Sequence, residues 1–434
     1  MLTLVLGGYG NFGTRICRAL ATDPAIQLLI GGRDLGRGQA LAALLAQAQV
    51  EHATRPSATH AAWPSATHAA GQDGGAPSAS HEHDLTAPRA VAIDHRAPDF
   101  AQTLRTLGVQ LLIHSAGPFQ GQGYEVARAA AQAGAHCIDL ADGRRFVCDF
   151  VPALDAAFRA AGRSAVTGAS TVPALSSAVV DALCAGWQRI DSIDTCIAPA
   201  QTAPRGVATM AAVLGYCGAP LQVWSGGCWT SQIGWSRPTK VSFARLRPRL
   251  GALCDIPDLE LFVAHYGVTQ RVMFRAALEI GFAQRVFAVL AALRAAGLIG
   301  APQRLARLLN ASARGLDVFG SSLGGMVLRV EGLDAAGQPA RRAWHIAADD
   351  DHGPEIPCMA AILLARRWAR GQGPVSGARS AIGLLRLADF EPEFARWGMV
   401  TDVVDEAAGG DDRGTGHSST GHISTGHRNP SVPP

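Results

Sequence analysis

Residues 2 to 13 read Leu-Thr-Leu-Val-Leu-Gly-Gly-Tyr-Gly-Asn-Phe-Gly, and this stretch decides the fold. Its aliphatic start predicts a buried strand, and the apolar spacing from Phe12 to Ala21 predicts a helix. Between them Gly8, Gly10 and Gly13 form the pattern G-x-G-x-x-G. In that context the first glycine permits a tight turn, the second lets a pyrophosphate approach the backbone, and the third lets helix and strand pack closely. The stretch therefore predicts a dinucleotide-binding unit with the phosphates at the helix N-terminus.

Short aliphatic runs and helical stretches continue to alternate as far as residue 167. Further strands are predicted at residues 26–30, 90–93, 109–113, 136–140 and 164–167. Helices are predicted at residues 38–49, 100–107, 124–133 and 150–161. Strands separated throughout by helices imply parallel crossovers, so we expect an α/β fold in which residues 1–172 form a Rossmann-type doubly wound parallel sheet.

Two segments have low-complexity composition. Residues 51–88 are rich in Ala, Ser, Pro, Gly and His and contain the heptad PSATHAA twice, at residues 56–62 and 64–70. The tail, residues 405–434, repeats Thr-Gly-His. Such stretches bury too little apolar surface to offset the entropy lost on ordering, so we expect a disordered insertion and a disordered tail. Their histidines lack the fixed spacing of a built metal site.

The pattern changes after residue 172. A helix is followed by strand-like pieces, and the runs at residues 326–330 and 343–347 predict a hairpin. Residues 173–355 are therefore predicted to form a second α/β domain with a mixed sheet. Residues 356–404 are expected to be a helical segment that packs back on the first domain.

The composition excludes several classes of protein. The chain has 434 residues, enough for two or three domains. Hydrophobic residues make up 48% and charged residues 17%, which excludes an intrinsically disordered chain. The 38 basic and 35 acidic residues are interspersed, which argues against nucleic-acid binding. The nine cysteines are never spaced C-x-x-C, so neither disulfides nor a metal site are predicted.

The apolar stretches are too short or too interrupted to indicate a membrane anchor. The apolar start reaches glycines after six residues and lacks a basic leader, so we interpret it as a strand and expect a cytoplasmic protein. The longest apolar stretch, residues 276–300, is broken by Glu279, Arg285 and Arg294. It falls short of the ~18 apolar residues of a membrane span and predicts an amphipathic helix.

The residues at the end of the second strand indicate which of two nicotinamide dinucleotides is bound. NAD sites place an acidic residue about twenty positions after the glycines, whereas NADP sites place a cation there for the 2′-phosphate. Arg33 lies at that spacing from Gly13, and its guanidinium suits a phosphate. Asp34 follows and would favour NAD if it faced the ribose, so we expect NADP and keep NAD as the alternative. Arg37 is either a solvated residue at a helix start or a second phosphate ligand.

Small residues follow the fourth strand. Ligands of an open parallel sheet bind beyond the carboxyl ends of its strands, and small residues there let the cofactor pass close to the backbone. A plain turn is the alternative, and His114 is interpreted as a packed histidine. The residues predicted to contact the cofactor are Gly8, Tyr9, Gly10, Asn11, Phe12, Gly13, Arg33, Asp34, Ser115, Ala116, Gly117 and Pro118.

Four segments carry a family resemblance: residues 8–13, 116–119, 134–140 and 168–173. Together they resemble the saccharopine dehydrogenase (saccharopine reductase-like) NADP-binding family over residues 1–175. The resemblance implies a Rossmann domain that holds NADP(H) and an α/β domain that binds a small-molecule substrate and often forms a homodimer. It does not imply saccharopine as the substrate. The chain departs from the family pattern in its insertion, its tail and Cys137.

No acid or base stands out from the sequence. Asp139 and Asp142 follow the fifth strand and could orient substrate, relay a proton or cap a helix. Ser170 and Thr171 could meet nicotinamide or substrate, or form an N-cap. In the second domain, five cationic or imidazole side chains could hold a carboxylate, although each alone is interpreted as a surface charge. They are Arg205, Arg237, Lys240, Arg245 and His345.

These patterns predict an NADP-dependent oxidoreductase. It would transfer a hydride to or from a small substrate with a C=N, C=O or enoyl group. Two alternatives stay open. One is a catalytically silent NADP-binding sensor or assembly protein, since no catalytic acid or base is evident. The other is a membrane-surface reductase that acts on a lipid, which the apolar stretch at residues 276–300 suggests.

Overall fold

A computed structural model describes residues 1–54, 85–204, 207–300 and 302–406. Of the predicted insertion, residues 51–54 belong to a helix and residues 85–88 precede a strand. Of the predicted tail, residues 405 and 406 end a strand. The remainder of both segments lies outside the described residues, as does Arg205. The proposed domain boundaries stay predictions.

The first part of the chain alternates strands with helices. Its elements are β1 (Leu2–Leu6), α1 (Asn11–Leu20), β2 (Gln27–Gly32), α2 (Leu35–Thr54), β3 (Arg89–Ala92), α3 (Phe100–Thr106), β4 (Leu111–His114), α4 (Glu125–Ala133), β5 (His136–Asp139), α5 (Arg144–Cys148), α6 (Phe150–Ala160) and β6 (Ser164–Thr167). Every strand predicted in this part is present.

A π-turn at Thr171–Leu175 leads into the second part. Its elements are α7 (Ser176–Leu183), β7 (Arg189–Ala198), α8 (Val207–Tyr216), β8 (Pro220–Ser225), β9 (Cys228–Ile233), β10 (Thr239–Val241), β11 (Arg249–Leu253), α9 (Asp258–Tyr266), β12 (Arg271–Ala277), α10 (Gly281–Ala295), α11 (Ala306–Gly315), β13 (Gly324–Leu333), β14 (Pro339–Ala348), α12 (Ile356–Ala369), β15 (Gly377–Ser380), α13 (Leu387–Arg396) and β16 (Val400–Glu406).

The first sheet is parallel and has the order β15-β6-β5-β4-β1-β2-β3. Apart from β15 this is the Rossmann order, and the predicted fold class is confirmed. The central strands carry aliphatic side chains on both faces. Val5 and Ile113 belong to one core, and Leu4 and Leu112 belong to the core on the opposite face. Burial on both faces explains why these strands are continuous apolar runs in the sequence.

The second sheet is mixed, as predicted, and has the order β10-β11-β12-β7-β13-β14-β16. Strands β7 and β12 are parallel, and the other pairings are antiparallel. Strands β8 and β9 form a hairpin attached to β12. Strands β13 and β14 form the predicted hairpin, whose turn contains Gly337 at φ +74°, a left-handed conformation that favours glycine.

The helix predicted at residues 276–300 is shorter in the structure. Ala276 and Ala277 end strand β12, and helix α10 begins only at Gly281. Within this helix Phe287 is buried, whereas Phe282 is 69% exposed. No helix formed by the described residues is long and apolar enough to cross a bilayer.

The region expected to be helical, residues 356–404, also supplies strands. Strand β15 pairs with β6 of the first sheet, and β16 pairs with β14 of the second. Strand β15, Gly-Ala-Arg-Ser, has a single apolar side chain, and such a short strand gives no periodic signal. Helix α12 packs on α1, where Arg15 forms an ion pair of 2.9 Å with Glu355.

A buried arginine joins helix α5 to the second part of the chain. Arg144, at the start of α5, is 8% exposed. It donates to the Gln222 carbonyl at 2.7 Å and pairs with Glu260 at 3.1 Å and Asp255 at 3.3 Å. Both acidic partners satisfy a guanidinium that would otherwise be desolvated without compensation. Arg144 therefore links α5 to strand β8 and helix α9 of the second part.

Candidate active site

A cleft of about 1750 Å³ opens along the carboxyl ends of the strands of the first sheet and continues to the second sheet. We name its two parts by residues that line them. The dinucleotide crevice is lined by Tyr9, Gly10, Asn11, Phe12, Arg33, Ser115, Ala116, Gly117 and Pro118. The apolar chamber is lined by Ile197, Trp235, Phe274, Val286, Leu309 and Met326. Because the two parts are continuous, a dinucleotide and a second ligand can meet between them.

The glycine turn is built differently from the prediction. Gly7, which the sequence pattern did not single out, makes the tight turn at φ +81°. A Cβ on Gly8 would lie 2.8 Å from Ile30 Cγ2, and a Cβ on Gly13 would lie 2.1 Å from the Gly7 carbonyl oxygen. Gly8 and Gly13 thus allow close packing behind the crevice and do not line it. The aliphatic run before Gly7 was the available signal, since it ends at that residue.

The N-terminus of α1 opens into the crevice. Its cap residue, Gly10, offers no side chain to the first turn. The backbone amides of Asn11 and Phe12 have no acceptor within the described part of the chain. The Asn11 side chain donates instead to the Pro204 carbonyl at 3.3 Å, across the cleft. Free amides and the positive end of the helix dipole are suited to an anion such as a pyrophosphate.

Arg33 and Asp34 at the end of β2 have separate environments. Arg33 lines the cleft, whereas Asp34 does not. The Arg37 backbone N–H donates to Asp34 Oδ1 at 3.1 Å, so this carboxylate caps α2. The Asp34 N–H donates to the Tyr9 hydroxyl at 2.8 Å. The Arg37 guanidinium stacks on the Tyr9 ring at 4.7 Å from its centroid.

More cationic groups lie at this end of the crevice than the sequence pattern identified. Arg37, Arg96, Arg128 and His95 line the cleft together with Arg33. Burial, chiefly, and the neighbouring Arg96 and Arg33 lower the pKa of His95. His95 and Arg96 follow strand β3, whose carboxyl end also faces the ligand side of the sheet. Extending the rule used for β2 and β4 to the third strand would have found them.

The segment after β4 lines the crevice through its backbone and small side chains. The Ser115 hydroxyl donates to the Leu6 carbonyl at 2.9 Å, so it secures the end of β4 to β1. His114 is 3% exposed and packs edge-on against Phe119 at 5.0 Å. Burial lowers the pKa of His114 to about 4, which fits the packed histidine that was expected.

Asp139 is a buried structural carboxylate. Its Oδ1 accepts hydrogen bonds from the Ala141 N–H at 3.0 Å, the Thr167 hydroxyl at 2.9 Å and the Gly168 N–H at 2.9 Å. Burial still raises its pKa to about 6. The side chain connects the ends of β5 and β6 and does not line the cleft.

Asp142 is an accessible carboxylate where the crevice meets the apolar chamber. Its side chain lines the cleft and reaches solvent there. The Gln120 side-chain amide donates to Asp142 Oδ1 at 3.2 Å. Desolvation by the surrounding protein raises the pKa of Asp142, and the hydrogen bond from Gln120 opposes this shift. The raised pKa favours the protonated form more than in a free carboxyl group. Of the two predicted aspartates, only Asp142 can therefore reach a ligand.

Tyr216 of helix α8 faces this carboxylate from the second part of the chain. Burial, first, and then the nearby Cys254 thiol raise the pKa of Tyr216 well above its usual value, and the Asp142 charge adds to the effect. Tyr216 lines the cleft but was missed, because one tyrosine in an apolar helix resembles a core residue in the sequence. Ser170 and Thr171, which were predicted, line the same junction from the end of β6.

The cations proposed for the second domain lie away from the cleft. Arg237 and Lys240 are exposed, the latter on edge strand β10. Arg245 forms an ion pair of 2.7 Å with Asp402. His345 is buried, accepts the Ala244 N–H at 3.2 Å, and has a pKa that burial lowers to about 4. Each of these four groups therefore remains remote from a ligand in the cleft.

Metal-binding side chains do not converge in the described ranges. No group of three His, Cys, Asp or Glu side chains there could hold an ion. All nine cysteines lie within those ranges and are free thiols. The cleft must therefore be interpreted from its backbone amides, its arginines and its junction residues.

The sequence matches no protein-family model, and it matches no curated protein. Among solved structures, the chain is similar to apo saccharopine dehydrogenase (L-Glu forming) from Saccharomyces cerevisiae, at 11% identity, 94% coverage of this chain, 100% coverage of that chain and a TM-score of 0.62. It is also similar to the homospermidine synthase of Legionella pneumophila in complex with NAD, at 10% identity, 98% and 95% coverage, and a TM-score of 0.50. At these identities the comparisons establish shape and not activity. The expected resemblance is confirmed at that level: this chain has a saccharopine dehydrogenase-like fold.

Proposed function

We propose that this protein is an NADP-dependent oxidoreductase that transfers a hydride to or from a C=O or C=N carbon. The observation that carries the proposal is the continuity of the cleft. A helix N-terminus with free amides and a set of arginines line one end of it, and the apolar chamber forms the other. Both structural neighbours are named as enzymes, and one is in complex with NAD, which supports the general class.

The residues present fit the dinucleotide. The amides of Asn11 and Phe12 are free to hold the pyrophosphate, and Gly10 leaves room beside them. Arg33 lines the cleft next to α1 and has no ion-pair partner within the described residues, which suits a 2′-phosphate. Asp34 is occupied by capping, so it is not poised to bond a ribose hydroxyl. These contacts favour NADP over NAD.

The reacting centre follows from the direction in which a dinucleotide crosses the sheet. With the pyrophosphate at β1 and the adenosine ribose at β2, the nicotinamide half extends toward the ends of β4, β5 and β6. When bound, it supplies the hydride. Asp142 lies at that end and is the group we assign to hold the proton exchanged with the substrate. Tyr216 and Ser170 position the reacting group beside it.

A thermal-shift comparison of NADP with NAD tests the cofactor. NADP at one hundred times its Kd should stabilise the native chain by about 2.7 kcal/mol, and NAD at the same concentration should stabilise it less. Arg33→Ala should weaken NADP binding roughly tenfold to hundredfold, the size of a charged hydrogen bond of about 1.5–3 kcal/mol. The matched control is Arg89→Ala, an exposed arginine on the first residue of β3 that does not line the cleft. Stabilisation by neither nucleotide would overturn the assignment.

A catalytically silent sensor is the competing function. It predicts nucleotide binding without consumption. Loss of NADPH absorbance in the presence of aldehydes, ketones, oxo acids or imines would support the oxidoreductase. Binding without turnover of any of these classes would favour the sensor.

A further inference from the structure

Among the described residues, the charges that line the cleft are confined to one side. The charged or imidazole residues that line it all come from the first part of the chain: Arg33, Arg37, His95, Arg96, Glu125, Arg128 and Asp142. From Ile197 to Met326, every described lining residue is uncharged. A ligand therefore passes from a cationic crevice into a neutral space within one cleft.

The walls of the apolar chamber come from both the second sheet and the helices over it. Ile197, Phe274 and Met326 belong to neighbouring strands β7, β12 and β13, and Val286 and Leu309 belong to helices α10 and α11. Trp235 is 1% exposed and packs on Phe287 with ring centroids 4.9 Å apart. These side chains offer dispersion contacts and almost no hydrogen bonds to a ligand.

Of the polar groups that line the chamber, the Gln201 amide is already engaged, whereas the buried Trp235 indole N–H has no hydrogen-bond partner among the described residues. The Gln201 amide donates to the Ala313 carbonyl at 3.1 Å and to Asp317 at 2.9 Å. The Gln201 amide is therefore not available to bind a polar ligand without giving up these bonds.

Three arginines of the second part are also occupied. Arg249 donates to the carbonyls of Pro199 at 2.8 Å and Leu323 at 3.0 Å. Arg294 donates to backbone carbonyls at the end of α8, and Arg275 is 3.4 Å from Asp194. A substrate carboxylate in the chamber would lose its hydration without gaining a cation from any described lining residue, and that is costly.

We propose that the substrate is an apolar carbonyl compound, an aldehyde or ketone with an alkyl chain, whose chain occupies the apolar chamber. This inference rests on the proposed oxidoreductase function and narrows its substrate class. The carbonyl group lies at the junction beside Asp142 and Tyr216, and the chain extends toward Phe274 and Met326. The ligand is thus uncharged, unlike an amino acid or an oxo acid, which would bring charged groups into the chamber.

The reaction balances with NADPH as the reductant. The carbonyl carbon gains a hydride from NADPH, and the π pair of the C=O bond moves to the oxygen. The oxygen takes one proton from Asp142, which solvent then replaces. The products are an alcohol and NADP+.

The test measures binding separately from turnover. N-phenyl-1-naphthylamine, a neutral fluorescent probe, is bound to the full chain in the presence of NADP and displaced with 1-butanol, 1-hexanol, 1-octanol and 1-decanol. We expect affinity to rise about fourfold per methylene, equivalent to about 0.8 kcal/mol each. We expect 2-oxoglutarate not to displace the probe. Affinity independent of chain length, or stronger displacement by 2-oxoglutarate, would overturn the proposal.

A pair of variants on one helix locates the site. Val286→Arg places a charge in the chamber and should weaken decanol binding at least tenfold. Val289→Arg changes a residue of the same helix that is 58% exposed and does not line the cleft, and should leave it unchanged. Equal effects of the two would contradict the assignment. If Val286→Arg fails to fold, the alkanol series on the native chain still decides.

Failure of this inference is distinguishable from failure of the proposed function. NADP stabilisation without decanol binding would overturn the apolar substrate alone. Decanol binding without NADP stabilisation would overturn the oxidoreductase. With both present, NADPH oxidation should be faster with decanal than with propanal or 2-oxoglutarate, and the reverse order would contradict the proposal.

Discussion

The backbone N–H of Arg37 donates to the Asp34 carboxylate at 3.1 Å. The acidic residue that could have specified NAD is thereby used to start helix α2. The neighbouring Arg33 is left to face the cleft. These adjacent residues carry opposite charges and have separate roles. Asp34 stabilises the start of a helix, and Arg33 is available to a phosphate.

Removing this cap should lower stability without changing the choice of nucleotide. Asp34→Ala is expected to cost about 0.5–2 kcal/mol of unfolding free energy, measured by chemical denaturation. Asp34→Ser can restore the cap and serves as the control. The ratio of NADP to NAD affinity should be the same in both variants. A selective loss of NAD binding in Asp34→Ala would instead place this carboxylate at the ribose.

Gly13→Ala should be strongly destabilising. Its new Cβ would lie 2.1 Å from the Gly7 carbonyl oxygen, so α1 and the turn must move apart. We expect a loss of about 1–3 kcal/mol or more in unfolding free energy, together with weaker nucleotide binding. Gly281→Ala, where a Cβ meets nothing within 4 Å, is the control and should be close to neutral. Comparable losses in the two would show that close packing is not the cause.

Asp258 should make stability fall as pH rises. Burial raises its pKa to about 7, and its one side-chain partner is the Ser176 hydroxyl at 2.6 Å. Between about pH 4 and 7 the folded chain keeps a proton that the unfolded chain has lost, so this group's contribution to unfolding free energy decreases with pH and levels off above 7.

The measurement is the unfolding free energy of native chain and Asp258→Asn at several pH values. The unfolding free energy of Asp258→Asn should lack this dependence on pH. Toward pH 8 it should rise relative to that of the native chain, by about 1.4 kcal/mol for every tenfold difference between the acid dissociation constants of Asp258 in the folded and unfolded states. Glu391→Gln, an exposed carboxyl on α13, should leave the slope unchanged. Parallel curves for native chain and Asp258→Asn would contradict the assignment.

Asp142→Asn should remove proton transfer while keeping the fold. We expect kcat to fall about 10²–10⁴-fold with little change in NADP affinity. Because its raised pKa favours the acid, reduction by the native chain should slow as pH rises through that pKa, and the variant should lose this limb. Asp149→Asn, a half-exposed carboxyl outside the cleft, is the control. An unchanged pH profile in Asp142→Asn would assign the proton to another group.

The Rossmann-type part of the chain was predictable because the sequence signals of its strands and its glycine turn are local. Buried parallel strands are continuous aliphatic runs, and Gly8 and Gly10 fall between the first strand and the first helix. The role of Asp34 was not predictable, since the helix was expected from Gly38 and begins at Leu35. Because the predicted helix began three residues too late, Asp34 was not recognised as its N-cap residue.

The apolar chamber could not be predicted. Ile197, Phe274 and Met326 lie on strands far apart in the sequence, and each alone is indistinguishable from a core residue. What makes them a cavity wall is the order of strands in the second sheet and the helices laid over it. That order depends on pairing between distant segments, for which one sequence without its fold contains no periodic signal.

The last two strands of the described residues connect the two sheets. Strand β15 completes the border of one sheet and β16 completes the border of the other, with only α13 between them. A fragment that stops at residue 172 would leave β6 with unpaired backbone groups, and a fragment that lacks β16 would leave β14 in the same state. Exposed edge strands of this kind promote self-association, so we expect neither fragment to be soluble when it is expressed alone.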